Sequence, residues 1–271
     1  MNSNPQDGTS VKKYGLAFHT ATPELGLAIS NFAGDSRCQT WNLGRSLATD
    51  LHQHLVEFIG PQTWADLAFI AVAKGPGGFT GTRMGMVTAR TLAQQLDIPV
   101  FAISTLAAVA WAAPPLAKEG LLSAEPPVAK GGLLNTEPPV AKGGLLNTEP
   151  PQPPLAKGGL LSAKPPVAKG GLLSLALQMP AQRGQLFGAV YSVNKDSGLT
   201  ELFPDTVMTA ESWQGKLESW ENSYQLIEVG SELGWSVSSV LELAYLEWKQ
   251  GSRPDWSGAL PYYGQHPVKG H

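Results

Sequence analysis

The sequence predicts an α/β fold in two blocks, separated by a repetitive insertion. Three observations lead there. Short apolar runs of strand length alternate with longer stretches whose apolar residues recur every three to four positions. A glycine-rich segment, "KGPGGFTGTRMGM" (Lys74 to Met86), joins one such run to one such stretch. Between the blocks lies a twelve-residue repeat that carries neither pattern.

In chain order, the first ten residues, "MNSNPQDGTS", are polar and predict a disordered N-terminus. The first lobe then runs from 11 to 113. "YGLAFHTATPELGLAISN" reads as two strands joined by a turn near Pro23 and Glu24. "SLATDLHQHLVEFIG" places Leu47, Leu51, Leu55 and Phe58 or Ile59 on one helical face and stops at Gly60. "LAFIAVA" is short and apolar throughout, as a strand buried on both faces is. A helix is expected from Thr82 to Leu96, capped by Thr80 or Thr82, followed by Asp97 and Pro99. "PVFAIS" is a strand, and Ser104 is placed to cap the helix "TLAAVAWAA".

The insertion spans 114–174. "PPVAKGGLLNTE" occurs twice letter for letter, from Pro126 and from Pro138, among near copies. Pro-Pro supplies no N–H and blocks a helix interior, and Gly-Gly raises the entropy lost on ordering. The composition predicts a disordered surface insertion. A loop can grow this long cheaply, because closure entropy rises only with the logarithm of length. The insertion holds six lysines and four glutamates, so the chain's net charge of −3 becomes −5 without it. An acidic folded part argues against a direct nucleic-acid grip.

The second lobe, 175–271, starts with "LALQMPA" and "GQLFGAVYSV", a strand pair around Arg183 and Gly184. "YQLIEVG" is a further strand. "SVSSVLELAYLEWKQG" is a helix with Val237, Leu241, Ala244, Tyr245 and Trp248 toward one side, closed by Gly251. The last segment is a candidate to return to the first lobe. One cysteine, Cys38, allows no internal disulfide and suits a reducing compartment. No apolar run reaches the ~18 residues of a membrane span. The expected location is cytoplasmic, with no membrane partner.

The glycine segment fails two phosphate-loop patterns. A Walker loop needs a lysine next to Ser or Thr at the helix start, and Lys74 precedes the loop instead. The spacing of Gly75, Gly77, Gly78 and Gly81 does not fit the dinucleotide pattern either. With Thr80, Thr82 and Arg83 these glycines form a structural launch for the helix, and at best a weak anion site. Along the helix, Gly81, Gly85, Ala89 and Ala93 recur every four residues and make a ridge nearly free of side chains. Periodicity does not say whether it meets its own domain or a partner. His52 and His54, two apart on a helix, diverge by roughly 200° and cannot share a metal. The sequence therefore predicts no metal site and no catalytic residue. It assigns no role to His19, His52, His54 or Cys38.

"GPGGFTGTRMGMVTARTLAQQLDIPVFAISTLAAVA" resembles the TsaB (YeaZ) family, as do "LAFHTAT", "PAQRGQLFGAVY" and, more faintly, "LPYYGQHPV". The resemblance covers both lobes and excludes the repeats. It implies the two-lobed actin, sugar kinase and Hsp70-like (ASKHA) fold with mixed sheets. It also implies a non-catalytic scaffold in synthesis of N6-threonylcarbamoyladenosine (t6A) on tRNA. The implied partners are a TsaD-like catalytic subunit and a TsaE-like ATPase, with a self-dimer as a competitor and tRNA reached only through the complex. No cofactor is implied on this chain, since ATP and metal belong to the partners. The dimer helices of the family correspond to Ser46–Ile59 and Thr82–Leu96. They suggest an interface at Leu47, Leu51, His54, Leu55, Gly81, Met84, Gly85, Met86, Val87, Ala89, Arg90 and Ala93. Two departures weaken any retained nucleotide chemistry. His19 stands where the family commonly has an acid before "TAT". Met179-Pro180-Ala181-Gln182-Arg183 stands where it has an acid before Ala-Arg. The enzymatic alternatives are an ASKHA-type small-molecule kinase and a glycoprotease-like peptidase. Cys38 has no histidine at informative spacing to support the latter.

Overall fold

A computed structural model describes residues 13–113, 174–194 and 198–264. The disorder expected for the N-terminus and the repeats falls outside the described residues, as does the end of the "LPYYGQHPV" segment. The boundary of the insertion shifts by one residue: Ser174 is fully buried and opens a strand.

The first half runs β1 (Tyr14–His19), β2 (Glu24–Ser30), β3 (Ser36–Asn42), α1 (Leu47–Ile59), β4 (Leu67–Ala73), α2 (Phe79–Leu96), β5 (Val100–Ile103) and α3 (Thr105–Ala112). The second runs β6 (Ser174–Pro180), β7 (Gln185–Asn194), β8 (Gly198–Thr209), α4 (Ala210–Glu218), β9 (Tyr224–Glu228) and α5 (Val237–Lys249). Each half opens with three antiparallel strands and then adds a strand parallel to its first. The sheet orders are β3-β2-β1-β4-β5 and β8-β7-β6-β9. Two mixed sheets with a common wiring agree with the expected two-lobed α/β fold.

Alternation along the strands sets the layers. Leu16, Phe18, Ile70 and Val72 point to one face of the first sheet, where α1 and α2 bury Leu51, Leu55, Met86 and Ala89. Ala17, Phe69, Ala71 and Phe101 point to the other face, where α3 and α5 lie. That second core continues into Leu177, Phe187, Ala189 and Tyr191 of the other sheet. α3 is therefore buried on all sides, and its sequence is apolar on all sides. α4 closes the far face of the second sheet with Trp213 and Leu217.

After β9 the chain returns to the first sheet. α5 packs on β1, β2 and β4. Val100 N–H then donates to the Pro254 carbonyl, and Tyr262 N–H donates to the Lys74 carbonyl at 2.7 Å. Arg37 caps the far end of α1 by donating to the Phe58, Ile59 and Gly60 carbonyls, each at 2.8 Å. A cation at a helix C-terminus answers both the free carbonyls and the dipole.

Three elements were not foreseen. β3 and β8 are edge strands without clean apolar alternation, and β8 carries Pro204, which only an edge or a bulge tolerates. α4 is short and mostly exposed.

Candidate functional site

The glycine loop is packed against its own domain. Gly78 N–H donates to the Ala21 carbonyl at 2.7 Å, so one donor an anion would need is already used. A Cβ on Gly77 would strike the Ala21 carbonyl. The helix starts at Phe79, three residues before the expected Thr82. Its N-cap is Gly78 and no side chain caps it. Thr80 and Thr82 are thus inside the helix and cap nothing; Thr82 is buried and its hydroxyl has no partner. Thr80 and Arg83 are exposed. By contrast, Ser104 accepts from Ala107 N–H and caps α3 as expected.

The small-residue ridge meets β1, not a partner helix. Thr20, just past β1, donates its hydroxyl to the Gly81 carbonyl at 2.8 Å. A Cβ on Gly81 would strike the Thr20 carbonyl, and one on Gly85 would strike the Thr20 hydroxyl. Gly75 bends the chain into the loop with φ +99°, where a side chain would also meet the Tyr262 carbonyl. Ala89 and Ala93 are fully buried. The glycines permit a close approach inside the domain, where the sequence had also left a partner surface open.

The twelve residues suggested as an interface therefore divide. Leu47, Leu51, Gly85, Met86, Ala89 and Ala93 are buried in the first lobe, and Gly81 is held against Thr20. His54 rests on the Trp41 ring at 4.6 Å. Arg90 lies over Trp256 at 5.9 Å. Only Leu55, Met84 and Val87 open onto an apolar groove of about 330 Å³ between α1 and α2. Its other walls are His52, Val56, Trp64, Thr88, Thr91 and Leu92. Val56 and Val87 are 63% and 54% exposed. Reading only the main apolar stripe missed Val56, which sits beside it, four residues after His52. Two apolar residues on the outer sides of adjacent helices were the available signal.

His19 is fully buried with both ring nitrogens unpartnered. Burial lowers its pKa to about 4, so the ring is neutral at pH 7. Among the described residues, no group of three or more His, Cys, Asp or Glu side chains could hold a metal ion. Cys38 is exposed and unpaired.

A second polar cluster, invisible to motif reading, lies between the lobes. Asp205 on β8 accepts from Ser104 at 2.6 Å and from Tyr191 at 2.8 Å, and its carbonyl accepts from the Tyr262 hydroxyl. Burial raises the Asp205 carboxyl pKa, against the lowering effect of the two hydroxyls and of Lys74. Burial and Asp205 also push the Tyr262 phenol up to about 12.

Residues 59–129 match the family model "TsaD: tRNA N6-adenosine threonylcarbamoyltransferase". The chain is 56% identical over 45 residues to the tRNA threonylcarbamoyladenosine biosynthesis protein TsaB of Bacillus subtilis. That stretch covers 17% of this chain and 20% of the relative. A TsaB of Buchnera aphidicola is 48% identical over 48 residues, 18% of this chain and 23% of that one. The chain thus matches less than a quarter of the length of either relative. Two solved structures from Pseudomonas aeruginosa share the fold, each with a TM-score of 0.58. One, described as YeaZ, is 17% identical, covering 92% of this chain and 100% of that one. The other, an uncharacterized protein with similarity to peptidase YEAZ, is 16% identical, covering 93% and 100%. Over these short segments the chain is similar in sequence to TsaB proteins, and over most of its length it shares the fold of the YeaZ structures.

Proposed function

We propose that this chain takes part in t6A synthesis on tRNA as a non-catalytic subunit that sets the conformation of a TsaD-like catalytic partner. The observation that carries the reading is the apolar groove between α1 and α2, which no part of the described chain covers. It lies partly on the segment that matches the TsaD family model, and two curated relatives of the chain are named TsaB. The occupant is the corresponding helix pair of a TsaD-like subunit, because two lobes of common ancestry present matching ridges and grooves. A TsaE-like ATPase joins that pair, and tRNA is reached through the assembly. A second copy of this chain competes for the same face.

Several observations favour a scaffold over an enzyme. The glycine loop spends its Gly78 N–H on Ala21, and the first turn carries the neutral, buried His19 and no carboxylate before Thr20. The first lobe offers no lysine at the helix start for phosphate. Purified TsaD-like and TsaE-like proteins should modify tRNA over many turnovers only when this chain is added. Equal multi-turnover modification without it would overturn the reading.

A further inference from the structure

A pocket of about 320 Å³ lies between α5, the ends of β4 and β5, and the β7–β8 hairpin, away from the α1–α2 groove. Its chemistry is mixed in a specific way. Lys74 brings a positive charge from the end of β4. Glu247 on α5 and Glu201 on β8 bring negative ones. Leu199, Leu243 and Leu246 supply apolar wall.

Lys74 is held by its backbone. Its N–H donates to the Ile103 carbonyl at 2.8 Å and its carbonyl accepts from Tyr262 at 2.7 Å. Its positive charge acts on the Asp205 and Glu247 carboxylates. Among the described residues, however, its ammonium makes no hydrogen bond or ion pair with either. Asp205 is already engaged by Ser104 and Tyr191. The attraction between Lys74 and Glu247 thus spans a gap that the protein leaves open.

A bare amine would leave Lys74 without a counter-charge, and a bare carboxylate would be repelled by the two glutamates. A small molecule carrying both charges on neighbouring atoms satisfies both sides. A pocket of this size sits at the low end for small-molecule sites, which limits the ligand to a few heavy atoms beyond the charged ends. The leucine wall selects an aliphatic remainder. We propose that the pocket binds a free aliphatic α-amino acid, with its carboxylate on Lys74, its ammonium on Glu247 and Glu201, and its side chain on the leucines.

The test is titration of the full chain with L-leucine, followed by calorimetry and thermal unfolding, beside isovalerate and isopentylamine at equal concentration. L-leucine should saturate the protein and raise its melting temperature, and neither single-charge control should do so. Lys74→Met and Glu247→Gln should each weaken binding at least about tenfold, which is ~1.4 kcal/mol. The Glu247 carboxylate makes no hydrogen bond among the described residues, so Glu247→Gln leaves the fold intact and reads the proposal even if Lys74→Met unfolds. Absence of saturation up to about 20 mM overturns the proposal, as does binding of a control as tight as leucine or undiminished binding by Glu247→Gln.

Discussion

The Ser104 hydroxyl donates to the Asp205 carboxylate at 2.6 Å, across 101 residues of sequence and from one lobe to the other. The same oxygen accepts from Ala107 N–H and so starts α3. One side chain therefore both begins a buried helix and ties it to the second sheet. A hydrogen bond to a charged group contributes more than a neutral one, and a cap adds about 1 kcal/mol.

Replacing Ser104 by Ala should cost about 2–3 kcal/mol, the cap and the charged hydrogen bond together. Chemical denaturation of both proteins measures this. Substituting Thr restores the hydroxyl and should recover most of the loss. A cost under about 0.5 kcal/mol would mean that Asp205 finds another donor.

Gly85→Leu should lower stability before it affects association. Any side chain there runs into the Thr20 hydroxyl. Overpacking of this kind typically costs ~1–3 kcal/mol. Thermal unfolding should show the drop in the isolated chain, without a partner present. An unchanged melting temperature with weakened partner binding would place the ridge at an interface after all.

Val87→Glu should do the opposite. Val87 is 54% exposed and lines the α1–α2 groove. A charge there remains solvated in the free chain, so stability should stay within about 0.5 kcal/mol. Partner binding should fall at least tenfold, ~1.4 kcal/mol, because the carboxylate is buried without a counter-charge when the groove is covered. Sedimentation or calorimetry with a TsaD-like protein reads the change.

Stability should decline as the solution is acidified from about pH 6.5 toward pH 4. His19 is neutral in its buried site, with a pKa of about 4, and ordinary in the unfolded chain. Below pH 6.5 the unfolded state therefore binds a proton that the folded state refuses. The contribution of neutral His19 is complete above that value and lost as pH falls through the folded pKa. The full difference is roughly 3 kcal/mol, at 1.36 kcal/mol per pH unit. Urea midpoints across this range, compared with His19→Gln, isolate it. Identical slopes for the two proteins would show that other groups carry the acid response.

Excision of the repeats should join Ala113 to Ser174, not to Leu175. Ser174 is buried, its N–H donates to the Ser223 carbonyl at 3.0 Å, and it is paired with both Ser192 and Tyr224. With a short glycine-serine connection in place of 114–173, folding and partner binding should match the full chain. Insoluble protein from that deletion would give the repeats a structural role.

Much was determined by the sequence alone. The spans of α1, β4, β5 and the β6–β7 pair followed from apolar spacing and turn residues, and Ser104 was recognisable as a cap. These are local properties: a 3.6-residue or two-residue period and a hydroxyl before a helix act over a few residues. The glycine loop also showed in sequence that it lacked the lysine a phosphate loop needs.

Only the tertiary structure decided what faces what. Gly81–Gly85–Ala89–Ala93 has the same spacing whether it meets Thr20 or another protein, because periodicity marks a stripe and not its occupant. The open surface turned out to be the neighbouring Val56–Val87 side. β8 escaped notice because an edge strand needs partners on one side only, so it tolerates Pro204 and a polar mixture. With β8 went Asp205, whose role depends on Ser104 and Tyr191 arriving from 101 and 14 residues away. The juxtaposition of Lys74 and Glu247 around one pocket is likewise a consequence of α5 folding back onto the first sheet. No local pattern encodes it, since the two charges come together only once α5 lies on the first sheet.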